Sequence, residues 1–222
     1  MKKLLLSLVM VFATVVAAHA QFGIVGGWTS SKSPVGNTDA VVTPNSLFHV
    51  GVTYKIGLGP FFAIQPTLAY QVKGSDVEIP GGLGGTIVAV KDVFHSRGNY
   101  VELGAGLQLG IDLLALRPFI LFEPFVGYDV SSVNKASLYS VNAETVDAYL
   151  NDAKNKFEYG FGVGGGLELL RHFQVSVQWF MNGGKLYNAD KLSQDAVKGA
   201  LLAGCKDIKN YQGVKVTLGI LF

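Results

Sequence analysis

The sequence predicts an all-β protein: an eight-stranded antiparallel up-and-down transmembrane β-barrel with short periplasmic turns and long outer loops, two of them partly helical. Three observations carry this. The chain opens on an export leader, its apolar residues recur with a period of two, and the charges inside those periodic segments all fall on the opposite phase. A period of two places alternate side chains on opposite faces of a strand. Only helices and closed barrels satisfy every backbone group in lipid. Of the 222 residues, 49% are hydrophobic, yet the richest run, "LQLGIDLLALRPFILF", is interrupted by Asp112, Arg117 and Pro118. Charges at the centre of a membrane helix are costly, so a helical span is disfavoured.

The leader, residues 1–20, has Lys2 and Lys3 before an apolar run from Leu4 to Ala18, and Ala18-His19-Ala20 forms an A-x-A cleavage site. Cleavage after Ala20 leaves a single barrel domain, 21–222. The first strand is "FGIVGGWTS", with Phe22, Ile24 and Trp28 on one face. In "SLFHVGVTYKIGL" the apolar set is Phe48, Val50, Val52, Tyr54, Ile56 and Leu58, opposed by His49, Gly51, Thr53, Lys55 and Gly57. After "GLGP" comes "FFAIQPTLAYQVK", with Ile64, Leu68, Tyr70 and Val72 against Gln65, Thr67, Gln71 and Lys73. The two read as a hairpin.

The fourth strand, "NYVELGAGLQLGIDL", opposes Val101, Leu103, Leu107 and Leu109 to Glu102, Gly104 and Gln108. In the fifth, "PFILFEPFVGYDV", Ile120, Phe122, Val126 and Tyr128 oppose Glu123, Gly127 and Asp129, although Phe119, Leu121 and Phe125 blur the polar side. The sixth, "FEYGFGVGGGLEL", sets Phe157, Tyr159, Phe161, Val163 and Leu167 against Glu158, four glycines and Glu168. "FQVSVQWFM" and the terminal "GVKVTLGILF" complete the eight. Links at 57–60, 113–117 and 170–172 are short, and those at 31–45, 74–97, 132–155 and 183–209 are long. Short turns on one side and long loops on the other are the expected asymmetry of such barrels, which puts both termini in the periplasm. Helix signals in two long loops start at Asn142 and Asn188. Pro66 and Pro124 cannot donate to a ladder, so a bulge is expected at each.

The charges in the polar phase, Lys55, Lys73, Glu102, Glu123, Glu158, Glu168 and Lys215, are expected to form a buried ion-pair network inside the barrel, because buried charges must be paired. A structural plug fits this better than a gated ion path. An eight-stranded barrel is just wide enough for side chains to fill, so a wide solute channel is not expected.

Other chemistries find little support. Gly160-Phe161-Gly162-Val163-Gly164-Gly165 spells G-x-G-x-x-G, but its glycines continue at period two and no helix follows, which excludes a dinucleotide site. A net charge of +2 without a basic cluster gives no footprint for nucleic acid. His95 and Ser96, with Asp92 and Glu102 nearby in sequence, are elements of a lipid-modifying site, yet neighbours on a strand point to opposite faces. Catalysis is therefore not expected, and neither a cofactor nor a metal site is read from the remaining histidines or from Cys205, the lone cysteine.

The segments "FAIQPTLAYQVKG", "NYVELGAGLQLG", "RPFILFEPFVGYDVSS" and "KFEYGFGVGGGLEL", closed by "VKVTLGILF", resemble in order the strands of small outer-membrane β-barrel proteins of Bacteroidetes, the PorT-like "porin family". The most specific pieces are Gln65-Pro66-x-Leu68-x-Tyr70 with Gly74 after it, and the terminal Phe222. The chain departs from that pattern in the Gly-rich strand at 100–109. The resemblance implies a monomer in the cell outer membrane, surrounded by outer-membrane lipid. It also implies that Phe222 is the assembly signal read by the barrel-assembly machinery. A structural, adhesive or binding role through the outer loops is the leading expectation, with the extracellular ligand unnamed. The alternatives are a narrow pore or an accessory of a secretion or transport apparatus, and a lipid-modifying enzyme.

Overall fold

A computed structural model describes residues 20–35, 41–80, 91–137, 151–188 and 208–222. Among these, eight strands form one closed antiparallel barrel in sequence order: β1 (Ala20–Lys32), β2 (Val41–Leu58), β3 (Phe62–Pro80), β4 (Lys91–Gly110), β5 (Leu116–Ser137), β6 (Phe157–Leu169), β7 (Phe173–Asn182) and β8 (Gln212–Leu221). β8 pairs back onto β1, from Gly23 opposite Leu221 to Lys32 opposite Gln212, so no strand edge is left open along that seam. The barrel is inside out relative to a soluble core. On β7, Phe173, Val175, Val177, Trp179 and Met181 are exposed, whereas Gln174, Ser176, Gln178, Phe180 and Asn182 are buried. The expected cleavage point falls at the first residue of β1.

The strands run further than apolar periodicity indicated. Residues 41–45, 74–80, 91–97 and 132–137, expected in long links, belong to β2, β3, β4 and β5. There the outward positions become polar or charged, as at Asp76, His95, Arg97 and Lys135, so the alternation of apolar with polar fades while the pairing continues. Of the helix expected from Asn142 through Phe157, residues 151–153 are helical, whereas Lys154 forms an isolated bridge and Phe157 begins β6, because the chain there turns into the barrel. Its residues 142–150, the helix expected after Asn188, and Cys205 lie outside the described residues.

The bulges expected at Pro66 and Pro124 are absent. Register is unchanged through both, from Thr53–Thr67 to Ile56–Ile64 and from Gly104–Phe125 to Leu107–Phe122. Two residue pairs drop out of the ladder at each place, which accommodates the missing N–H without an inserted residue. The shifts lie elsewhere, between Pro44 and His49 on β2 and where Asn99 and Tyr100 meet β5.

The β2 shift has a local remedy. Between the Ser75 and Gln71 pairings, Gly74 has no β2 partner, and Ser31 of β1 reaches across instead. Its Oγ accepts from Gly74 N and donates to Gly74 O, each at 2.8 Å. Ser31→Ala is expected to leave both backbone groups buried and unpaired and to cost about 1–3 kcal/mol. Denaturant unfolding of the folded protein checks this.

Turns at the opposite end are tight. Leu114, Leu170 and Arg171 adopt positive φ, and Leu170 N donates to Ala115 O at 2.7 Å, tying two turns together.

Candidate functional site: a layered ionic interior

The inward positions of the strands converge on the barrel axis and form four charged layers. Nearest the turns, Glu168 of β6 pairs with Lys55 of β2 and lies 3.6 Å from Arg117 of β5. Arg117 also donates to Gln108 at 2.9 Å, and Gln65, Gln108 and Gln174 are joined in a chain of amides across the barrel. Above them, Lys215 of β8 pairs with Glu123 of β5 at 3.0 Å, and His49 bridges Thr29 and Thr217.

The third layer is the most deeply buried. Lys73 Nζ lies 2.6 Å from Glu102 and 2.7 Å from Glu158, with Asn182 bonded to both Lys73 and Glu158. The rings of Tyr100, Phe125 and Phe180 surround the ammonium at about 5 Å, cation–π distance. Gly160 makes room for one of them, since a Cβ there would stand 2.6 Å from Phe125 Cζ. The glycine phase of β6 thus admits bulky side chains from its neighbours.

At the loop end, Lys154 meets Asp129 at 2.9 Å between the rings of Tyr100 and Tyr211. Burial pulls the Lys154 ammonium below its ordinary pKa, and Asp129 opposes that shift. Burial likewise pushes the Tyr211 hydroxyl upward. That hydroxyl is 2.7 Å from Ser96, which donates to Asn134, and Tyr187 donates to the same Asn134 oxygen. Segments outside the barrel wall close over this cluster. Lys154 bridges to Tyr187, Lys185 to Lys209 and Val35 to Ile208, and Asn188 N donates to Ala153 O. Ala153, Leu186, Tyr187, Ile208 and Tyr211 are all buried there. Among the described residues these contacts form a cap over the loop-end cluster.

All seven charged residues read from the sequence point inward, and the structure joins them in three separate layers rather than one network. It adds Arg117 and Lys154, and it gives a partner to Asp129, which the sequence places on the polar phase but not in the network. Arg117 sits six residues before Glu123 and shares its phase, a signal masked by its place next to Pro118. Among the described residues the layers hold five cations (Lys55, Lys73, Arg117, Lys154, Lys215) and five anions (Glu102, Glu123, Asp129, Glu158, Glu168). A cavity of about 50 Å³ lies between the layers beside Lys215 and Glu123. At the turn end a cavity of about 430 Å³ opens outward.

His95 and Ser96 are kept apart by the wall. Ser96 is buried inside, while His95 is exposed outside and pairs with Asp76 at 2.8 Å. No group of three or more metal-ligating side chains occurs among the described residues. Phe222 lies at the turn end, where its N donates to Phe22 O at 2.7 Å.

A family model described as "Outer membrane protein beta-barrel domain" matches residues 15–187. No curated protein matches the sequence. Similar solved structures include Neisserial surface protein A, at 10% identity over 91% of this chain and 97% of the other, with a TM-score of 0.40. The attachment invasion locus protein Ail of Yersinia pestis shares 12% identity over 92% and 99%, with a TM-score of 0.43. OprG of Pseudomonas aeruginosa shares 12% over 91% and 96%, with a TM-score of 0.42.

Proposed function

Because the chain belongs to the outer membrane protein β-barrel domain family, and is thus an outer-membrane β-barrel protein, we propose that it is a closed, non-enzymatic scaffold that presents its loop end to the cell exterior for a structural, adhesive or binding role. The observation that carries this is the cap over Lys154, Tyr187 and Tyr211, continuous below with paired charges that fill the lumen. Paired charges at four levels of a narrow interior oppose a solute path. In this reading the outward apolar band lies in lipid, the turn end and both termini face the periplasm, and the wall of β3, β4 and β5 continues past the band toward the exterior. Residues 1–20 are the export leader, Phe222 is the signal for the assembly machinery, and the strand motifs resemble those of the PorT-like barrels of Bacteroidetes. The narrow pore and the lipid-modifying enzyme are less well supported, the first by the filled lumen and the second by the separation of Ser96 from His95.

The test pairs topology with conductance. An epitope inserted within residues 138–150 is expected to bind impermeant antibody on intact cells, while one at Gly59 binds only after permeabilisation. Purified protein in planar bilayers is expected to give no unitary current steps. Antibody access to Gly59 on intact cells, or a steady open conductance, overturns the proposal.

A further inference from the structure

The turn-end cavity carries an inference beyond the scaffold role. We propose that it is a binding pocket for a small monoanion, a carboxylate or phosphate group, held by Lys55 and Arg117. Its lining includes Lys55, Arg117, Glu168, Asp112, Arg171 and Gln21, and its volume of about 430 Å³ falls within the usual range for small-ligand sites. On the inner side of Arg117 lies the Gln65–Gln108–Gln174 chain, to which it is joined through Gln108.

The argument rests on charge and on donors. In this layer two buried cations, Lys55 and Arg117, face one buried anion, Glu168. Arg171 and Asp112 at the rim pair with each other at 3.1 Å and cancel. One positive charge is left over beside an open space. The loop-end layers are the reverse: Lys73 and Lys154 face Glu102, Glu158 and Asp129, so the excess cation at the turn end is not offset locally but by a group on the far side of the Lys215–Glu123 pair. A buried charge without a near partner is costly.

Hydrogen bonding points the same way. Arg117 carries five N–H donors. Among the described residues it makes one good bond, to Gln108, and one long one, 3.4 Å to Phe61 O, while Glu168 at 3.6 Å is beyond bonding distance. Among the described residues Lys55 has a single hydrogen-bond partner, Glu168, for its three donors. A planar guanidinium beside an ammonium is suited to a carboxylate or phosphate oxygen pair.

The test uses the full-length folded protein in detergent micelles, so it is independent of orientation in the membrane and of any role of the outer loops. Titration with inorganic phosphate and with N-acetylglycine, followed by calorimetry at fixed pH and ionic strength, is expected to show saturable and mutually competitive binding. Lys55→Gln is expected to weaken it by about tenfold or more, and Glu168→Gln, which removes the competing carboxylate, to tighten it by a similar factor. Whichever probe binds more tightly identifies the source as a free phosphate or a peptide-type carboxylate. Should Lys55→Gln fail to fold, the opposite-signed effect of Glu168→Gln, read also as a larger rise in Tm on adding anion, still decides. Absence of saturable binding by either probe overturns the proposal, as does an affinity that Glu168→Gln leaves unchanged or weakens.

Discussion

Lys73→Met is expected to destabilise the folded barrel by about 3–5 kcal/mol, the scale for removing one member of a buried ion pair. Lys73 has no exposed surface, and its ammonium is the cation that both Glu102 and Glu158 contact at 2.6 and 2.7 Å. Its loss strands two carboxylates among the rings of Tyr100, Phe125 and Phe180, where water cannot reach them. The effect belongs to the orphaned charges, not to the net value of the pair. The triple variant Lys73→Met, Glu102→Gln, Glu158→Gln is therefore expected to recover most of the loss. Urea unfolding in lipid vesicles, read by the heat-dependent shift in gel migration, measures both. Equal destabilisation of the single and triple variants would falsify the account.

Leu107→Arg is expected to cost about 2–4 kcal/mol in lipid vesicles, the range for arginine on the lipid face near the bilayer midplane. Leu107 is exposed on β4, midway along the outward run from Val101 to Leu113. The same change at Leu114, in a turn and 94% exposed, is expected to cost about 0–1 kcal/mol. Comparing the two by the same unfolding assay measures depth directly. Similar costs at both sites would place the membrane elsewhere on the barrel.

The strands were legible wherever burial and exposure are both unambiguous. On β7 every outward residue is apolar, and Phe180 is the lone inward one that is, so the period is plain. On β3 and β4 the alternation stops being apolar near Lys73 and Gly98, because Asp76, His95 and Arg97 face outward in its place. The pairing goes on, held by backbone bonds that leave no mark on composition. Lys73 was consequently read at the end of its strand, although it sits inside a wall that runs seven residues further, to Pro80.

Interior chemistry was legible by phase but not by partner. Glu102 and Glu158 share the polar phase of strands that do not adjoin, and nothing in either segment says that one lysine joins them. Lys154 was beyond reach of periodicity, since it enters the lumen from a segment outside the wall. The proline misreading has a similar origin. A missing donor was expected to force an extra residue, but a ladder can lose two pairs and keep its register.

The seam between β1 and β8 has a kinetic consequence. Gly23 meets Leu221, and Ile24 meets Ile220, across nearly the whole described sequence. No partial chain lacking β8 can complete the ring, so intermediates keep two open edges and a half-built lumen in which some charges, Lys215 and its partner Glu123 among them, have yet to meet. Contacts of such long sequence separation make closure slow and leave exposed edges prone to pairing with other chains. Docking of the last strand is thus expected to be the slow step of folding, and a chain cut before Gln212 is expected to associate through its open edges.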